Sequence, residues 1–391
     1  MKPIYSSKIS SVSEWLSAVE LKSGDPFAFQ CSDIGIKLAM IPGTKFCAKL
    51  PIAISSILSR IDRKYPQLSN RIIPHAIAAQ SAGIYSQVCT MMYTYTQEQE
   101  WFNRMLEWLE WLKNNANREY HGYTWGIPFK WLMGTGVLAP ANTPMSTVSP
   151  YCSDAFYLNK IHSVATSLAE FIINDLKVTY EDETKMCISY SPLDNFQITN
   201  VQAYCAAQLY RAYAHTGVEK YKEVAEKLIN FVLSEQHKDG FWYYWSSQQP
   251  VLSSIDSLHQ CYIMQGLYRS YLVSGDERIK NAVLQCINYC KNKLITNELY
   301  VKKFPVQKHQ YELIDAAEMI STLNILGDSL ADDLLDITIE RFSTSNPSFA
   351  SCLNPRNDIP YIRWGQIQML FAMTQHLILS TKTMSLKEIY I

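Results

Sequence analysis

The chain has 391 residues, of which 48% are hydrophobic and 18% are charged, and its formal net charge is −1. This composition is typical of a globular protein with a large core, and it excludes an intrinsically disordered chain. The near-neutral charge provides no bulk attraction to nucleic acid or anionic lipid, so we predict local ligand sites and no nucleic-acid partner. The sequence contains no apolar run long enough to predict a membrane span, and no recognisable targeting segment.

The ten cysteines fall mostly within helical apolar patterns, as Cys205 and Cys261 do. Buried free cysteine behaves as a small hydrophobic residue, so this pattern indicates a reduced, cytoplasmic protein. Cys31 and Cys47, in a region that reads as a loop, are the one pair that we consider for a bridge. The sequence contains no Gly-rich phosphate loop, and we predict no cofactor.

In chain order, residues 1–50 do not follow the pattern of the rest, and we predict an N-terminal extension packed on a domain over residues 51–391. From residue 51, amphipathic charged helices alternate with apolar, aromatic-rich ones, which predicts the outer and inner helices of repeated hairpins. The predicted outer helices span 51–64, 97–117, 161–176, 219–236, 276–293 and 328–342. The predicted inner helices span 74–95, 145–160, 197–214, 255–273, 309–326 and 361–379.

Glycine turns recur at matching places in this alternation, at Gly217, Gly275 and Gly327, which lie 58 and 52 residues apart. Each hairpin can bury its apolar face only against its neighbours, so a repeat of this length favours a ring or a solenoid of hairpins. An open solenoid would need polar helices at both ends, whereas the last predicted helix, 361–379, is apolar. We therefore predict an all-α fold, a closed (α/α)6 toroid.

The segments that enter the inner helices are long and rich in polar and aromatic residues, and parallel inner helices place their N-termini on one face. Asp194 and Asp256 precede two successive inner helices. A pair of carboxylates is what glycoside hydrolysis requires, although each aspartate could instead cap its helix. His259 follows Asp256 by three residues, a spacing that puts both on one helix face.

The later segments that enter inner helices contain His309, Tyr361 and Arg363. An imidazole or a phenol could remove the proton next to a uronate carboxylate, the step that lyases and epimerases share. Arg363 could clamp that carboxylate, or it could pair with Asp358. These side chains complete our predicted catalytic set, which is expected to converge on one mouth of the ring.

Aromatic residues in these segments are candidate platforms for stacking on sugar rings, with core packing as the alternative. The predicted substrate-binding residues are Trp125, Trp242, Tyr244, Trp364 and Gln366.

Several of these stretches, taken in order, resemble bacterial polysaccharide-biosynthesis proteins of the VpsJ type, within the wider six-hairpin toroid group. The matching stretches are WGIPF at 125–129, TP at 143–144, SYSPLD at 189–194, FVLSEQ at 231–236, DGFWYY at 239–244, IDSLH at 255–259 and IPYIRWGQ at 359–366. The resemblance covers roughly residues 120–380. It implies a toroid that acts in the synthesis of a surface polysaccharide or lipopolysaccharide, without indicating the reaction.

Residues 256–262 also resemble the segment that holds a zinc-binding histidine in protein prenyltransferase β-subunits. A metal site is therefore an alternative interpretation of this segment. Those enzymes need a further aspartate on an earlier inner helix, where this chain has Ala203. Two protein ligands do not make a zinc site, so we predict no metal.

We expect a carbohydrate-active protein that binds a glycan or glycan precursor in the mouth of the toroid. It would hydrolyse or eliminate a glycosidic bond, or epimerise a uronate. The alternative is a non-catalytic glycan-binding or scaffold protein, and either could associate with polysaccharide assembly proteins.

Overall fold

The computed structural model describes residues 3–40, 50–133, 136–249, 254–306 and 310–391. In this part of the chain the longer helices are α1 (Pro3–Ala18), α4 (Leu50–Lys64), α6 (Ala79–Thr96), α7 (Gln99–Asn114), α8 (Ser149–Leu158), α11 (Thr199–Thr216), α12 (Glu219–Ser234), α13 (Ser257–Ser274), α14 (Glu277–Lys293), α15 (Leu313–Leu326), α16 (Leu330–Phe342) and α17 (Ile367–Ser380). The shorter ones are α2 (Ala28–Cys31), α3 (Asp33–Ala39), α5 (Pro66–Ser69), α9 (His162–Ala165), α10 (Leu168–Asn174) and α18 (Leu386–Tyr390).

The described strands form short antiparallel pairs in the loops. They are β1 (Lys22–Ser23) with β2 (Ala76–Ile77), β3 (Trp131–Met133) with β4 (Val137–Ala139), β5 (Val178–Glu181) with β6 (Met186–Ile188), and β7 (Cys352–Leu353) with β8 (Arg356–Asn357).

Six inner helices form a closed ring. Helices α6, α8, α11, α13, α15 and α17 contact one another in this order, and α17 returns to contact α6. The inner helices α11 and α13 are buried on almost all sides, whereas the outer helices α12 and α14 bury one apolar stripe each. The predicted (α/α)6 toroid is therefore confirmed, and the open solenoid is excluded by the contact between the first and last inner helices.

The sequence placed the first outer helix at 51–64, and this assignment is wrong. The helix there, α4, packs chiefly against α2 and α3, whereas α1 packs against α17 and buries Tyr5, Ile9, Val12 and Leu16 in the main core. Serines separate the apolar residues of α1, so its amphipathic pattern is weak in the sequence. The division of the chain at residue 50 stays a prediction, but the outer position beside α17 belongs to a helix from the predicted extension.

The predicted outer helix at 161–176 is broken into α9 and α10. The hydroxyl of Thr166 donates to the carbonyl of His162, and that of Ser167 donates to the carbonyl of Val164. Such bonds from a side chain to the preceding turn compete with a continuous helix.

Glycines end three of the inner helices, as the repeat predicted. Gly217, Gly275 and Gly327 have φ of 70°, 68° and 65°, a left-handed conformation that costs glycine little. Each turn leads directly into an outer helix, so these ends of the inner helices carry only short connections.

The opposite ends carry the long segments, and three of these are fixed by a glutamine that lies in the first turn of an inner helix or directly before it. The amide of Gln202 accepts from the backbone N–H of Ile188 at 2.9 Å and donates to the carbonyl of the same residue at 2.9 Å. Gln260 binds the backbone of Trp242 in the same two-way manner, and Gln366 binds that of Phe349. We call these contacts the backbone clamps.

The end of the ring away from the long segments is closed by charged residues and α18. Asp154 pairs with Arg211 at 3.1 Å and with Arg269 at 2.6 Å, and all three side chains are buried. Arg211 also donates to the backbone carbonyl of Ile389 in α18. The open space therefore lies at the end where the inner helices begin.

A backbone clamp can be tested through stability. The change Gln202→Leu leaves the N–H of Ile188 buried without a partner and removes the amide donor from its C=O, so we expect a loss of about 1–3 kcal/mol of unfolding free energy in urea denaturation. The matched control is Gln99→Leu, at an exposed residue of α7 whose side chain donates to Asn103, and it should change stability by less than about 0.5 kcal/mol. Equal stability of the two variants would contradict the clamp.

Candidate functional site

Two adjacent cavities open where the inner helices begin, between the ring and the segment that contains α2 to α5. The inner cavity has a volume of about 380 Å³, and its lining includes Tyr190, Tyr244, His259, Tyr262, Arg363 and Trp364. The outer cavity, about 550 Å³, is lined among others by Asp62, Lys303, Glu312, Arg356, Tyr361 and Trp364. Phe27, Ser59 and Trp364 line both cavities and mark the boundary between them.

Asp256 and His259 form a hydrogen-bonded pair at the start of α13. Asp256 caps the helix by accepting from the backbone N–H of His259 at 2.9 Å, and its two oxygens lie 2.7 and 2.8 Å from the ring Nδ1. This geometry assigns the ring proton to Nδ1, and no described residue hydrogen-bonds to Nε2. The second nitrogen is therefore available to a ligand in the inner cavity.

Charges around Asp256 keep it ionised. Burial opposes ionisation, but the charge and hydrogen bonds of His259, together with the charge of Lys303, hold the pKa of Asp256 below its ordinary value. Lys303 is itself fixed by Glu312, whose Oε1 lies 2.8 Å from its Nζ. The sequence predicted that Asp256 could cap α13 and that it shares a helix face with His259. In the structure the same carboxylate caps the helix and binds the imidazole.

Arg363 reaches the inner cavity but does not pair with Asp358. Its Nε donates to Oδ2 of Asp25 at 2.7 Å, and its Nη2 lies 2.6 Å from the same oxygen without hydrogen-bond geometry. Asp358 pairs instead with Arg356. The partner of Arg363 comes from a segment without a repeat pattern, so no pattern in the sequence indicates this pairing.

Asp194 does not face either cavity, which argues against the predicted catalytic role. It is 1% exposed, and it accepts backbone N–H bonds from Tyr190, Ser191 and Phe196 as well as the hydroxyl bond of Ser191. These bonds fix the loop that carries Tyr190, whose hydroxyl lies 2.7 Å from that of Thr147 in the wall of the inner cavity. Asp194 therefore shapes the site indirectly.

Trp125 and Trp242 are core residues, so their predicted role as stacking platforms is wrong. They are 1% and 0% exposed, and their indole N–H groups donate to the backbone carbonyls of Leu112 and Val232 in outer helices. Gln366 likewise forms a backbone clamp and does not reach the cavities. In each case the loop turns the side chain inward between the inner and outer helices.

The remaining predictions divide between the two cavities. Tyr244 lines the inner cavity, with its ring centroid 4.4 Å from that of His259, and Trp364 lines both cavities. Tyr361 is buried beside the outer cavity, where burial raises its pKa to about 12. His309 and Cys47 lie outside the described residues.

Other residues of the inner cavity were not predicted. Tyr262 follows His259 by one helical turn, and that spacing could have identified it. Asn200 lines the cavity with a buried Oδ1 that has no hydrogen-bond partner among the described residues. Phe27 and Trp131, whose ring centroids lie 5.5 Å apart, come from segments outside the helical repeat.

Behind the inner cavity, burial raises the pKa of Glu318 on α15 from 4.5 to about 7. Its carboxylate accepts from Gln265 at 2.9 Å. Since folding then favours the protonated form, this group destabilises the fold increasingly as pH rises from about 4.5 towards 7.

We therefore expect Glu318→Gln to raise stability over the parent protein more at pH 8 than at pH 4.5, by on the order of 3 kcal/mol at most. Urea denaturation at the two pH values measures this difference. Glu340→Gln, at an exposed residue of α16, is the control and should show no such pH dependence. A gain for Glu318→Gln that is the same at both pH values would contradict the raised pKa.

Comparison with known proteins gives a partial family match. A family model described as "D-glucuronyl C5-epimerase C-terminus" matches residues 199–269, which run from the start of α11 into α13 and include Asp256 and His259. The match covers less than a fifth of the chain. No curated protein sequence matches.

Solved structures of sugar enzymes share the fold. A D-mannose isomerase is similar at a TM-score of 0.59 and 12% identity, over 78% of this chain and 87% of its own. The cellobiose 2-epimerase from Spirochaeta thermophila has a TM-score of 0.57 at 9% identity, over 78% and 87%. An unsaturated glucuronyl hydrolase specific for heparin has a TM-score of 0.55 at 12% identity, over 79% and 88%. At these identities the likeness establishes the fold alone.

Two further findings concern the described part of the chain. Within it, no helix combines the length and the apolar character that a membrane crossing requires. Nor do three His, Cys, Asp or Glu side chains of those residues meet where they could hold a metal ion. The absence of zinc stays a prediction.

Proposed function

We propose that this protein is a sugar-processing enzyme in which His259 moves a proton to or from a saccharide bound in the inner cavity. The observation that carries the proposal is the orientation of the imidazole. Asp256 holds Nδ1 at 2.7 Å, and Nε2 has no hydrogen-bond partner among the described residues. A histidine oriented by a carboxylate in this way is suited to general acid–base catalysis near neutral pH.

The walls of the inner cavity fit a sugar ring. Tyr244 and Trp364 offer aromatic faces or edges for the apolar C–H groups of the ring, and Asn200 offers an amide for its hydroxyl groups. Tyr190 and Tyr262 add phenol groups that can donate a hydrogen bond to an oxygen on which charge develops. We propose substrate-binding roles for these residues.

Proton transfer at a carbon next to a carbonyl group is the reaction class that this arrangement favours. In an epimerisation, the base takes the C–H proton, and a proton returns to the opposite face of the carbon. Hydrolysis with two carboxylates is less well supported, because Asp194 is committed to its loop and Asp256 to His259. The epimerase family match over α11 to α13 and the isomerase and epimerase among the similar structures agree with this choice.

The reaction is tested by hydrogen exchange into sugars in D2O, followed by proton NMR over a panel of reducing disaccharides and uronate-containing oligosaccharides. We expect His259→Gln to reduce exchange at least about 100-fold. Asp256→Asn should also reduce it, since asparagine keeps the helix cap but loses the charge that orients the ring.

The control for this experiment is His121→Gln. His121 lies outside both cavities, with a side chain that is 60% exposed and paired with Asp175. This variant should keep the parent rate. Undiminished exchange in His259→Gln would contradict proton transfer by His259, and hydrolysis products in place of exchange would contradict proton transfer at carbon.

We also propose a role in the synthesis of a surface polysaccharide, in the cytoplasm and in association with polysaccharide assembly proteins. The resemblance to proteins of the VpsJ type supports the pathway, and the free, mostly buried cysteines support a reducing compartment.

In cells that lack the gene, Asp256→Asn and His259→Ala should fail to restore polysaccharide production, while His121→Gln restores it. Polysaccharide yield is the measurement, with circular dichroism of the purified variants as a check on folding. Full complementation by both site variants would contradict the catalytic assignment.

A further inference from the structure

We propose that the ion pair between Asp25 and Arg363 sets the substrate class, so that the sugar ring which reaches His259 is neutral and is not a uronate. This inference rests on the proposed function and deepens it. Arg363 lines the inner cavity together with His259, and it is the guanidinium that a uronate carboxylate would need. In this protein the guanidinium is already paired with a carboxylate of the chain itself, that of Asp25.

The pair is buried and close. Asp25 is 2% exposed, and its Oδ2 accepts from Nε of Arg363 at 2.7 Å. Its Oδ1 accepts from the backbone N–H of Phe27 at 3.1 Å, which fixes the carboxylate from the other side. A substrate carboxylate would have to approach a guanidinium whose charge is already balanced, and it would also meet the negative charge of Asp25.

The segment that carries Asp25 is anchored on both sides, so it forms part of the cavity wall. Before it, β1 pairs with β2, and the hydroxyl of Ser23 accepts from the backbone N–H of Ile362 at 3.1 Å. At Gly24 the chain passes so close to Asn70 that an added Cβ would lie 1.9 Å from the side-chain oxygen. A substrate could not displace Asp25 without breaking these contacts.

After Asp25, the ring of Phe27 closes the segment against the cavity walls. Its centroid lies 5.5 Å from that of Trp131 and 5.1 Å from that of Trp364, in both cases edge to face. Asp62 of α4 then accepts the backbone N–H groups of Phe29 and Gln30. These contacts continue the anchoring on the far side of the aspartate.

Each of the two lining side chains of the inner cavity that can carry a charge is paired with a carboxylate. Among the described lining residues, the groups that can carry charge at neutral pH are Arg363 and His259, and each has its own aspartate, Asp25 and Asp256. The rest of the described lining is aromatic, apolar, hydroxyl or amide in character. Such a surface matches the hydroxyl groups and C–H faces of a neutral sugar.

The test compares binding of methyl β-D-glucoside and methyl β-D-glucuronide, which differ only in the carboxylate, by NMR titration. The parent protein should bind the glucoside more tightly. Asp25→Asn frees the guanidinium, so we expect it to bind the glucuronide at least about tenfold more tightly than the parent does. The readout is the ratio of the two affinities within each variant, which a general loss of binding does not raise.

The control is the double variant Asp25→Asn/Arg363→Met, which removes both charges and so leaves no buried charge unpaired. It should fold and bind the glucoside, but it should lose the gain for the glucuronide. If Asp25→Asn does not fold, the preference of the parent protein for the glucoside over the glucuronide still tests the inference. A parent that binds the glucuronide as tightly as the glucoside or more tightly would overturn the inference, as would a folded Asp25→Asn without the gain. Failure of the parent to bind either sugar would instead contradict the proposed function.

Discussion

The backbone clamps are the contacts on which the rest of the site depends. A ring of hairpins needs long segments to return from each outer helix to the next inner one, and these segments have little regular structure of their own. Gln202, Gln260 and Gln366 each satisfy both backbone groups of one buried residue in such a segment. Because an unpaired buried backbone group is costly, each clamp restricts its segment to one path. The neighbouring cavity residues, Tyr244 after the clamped Trp242 among them, are oriented as a result.

At the start of α13, the stability of the fold and the proposed chemistry depend on the same carboxylate. Asp256 accepts one of the backbone N–H groups that are unpaired at the start of the helix, that of His259, and it also holds the imidazole of His259. His259 and, to a lesser extent, the charge of Lys303 hold the pKa of this carboxylate below its ordinary value, and Glu312 pairs with Lys303. Replacing Asp256 with asparagine separates the two roles, since the amide keeps the cap and gives up the charge.

The other half of the inner cavity is built by a segment outside the helical repeat. Asp25 and Phe27 contact Arg363, Trp131 and Trp364, so that the ring alone would have a wider and more positively charged mouth. In the proposed reaction, the ring supplies the base and the N-terminal segment restricts the substrate. Toroids that share this ring could therefore differ in substrate through segments that pack on its mouth.

The sequence alone predicts the ring of hairpins, its inner and outer helices, the glycine turns and the shared helix face of Asp256 and His259, because these follow from periodicity and spacing within one helix or one hairpin. The outer position beside α17, which α1 takes in place of 51–64, could not be predicted in this way, since it depends on packing between the ends of the chain. Which side chains face the cavities likewise depends on the tertiary structure. Trp125, Trp242 and Gln366 have the residue types of a sugar site, but their loops turn them into the core. The partner of Arg363 lies 338 residues away along the chain, a separation at which no local pattern operates.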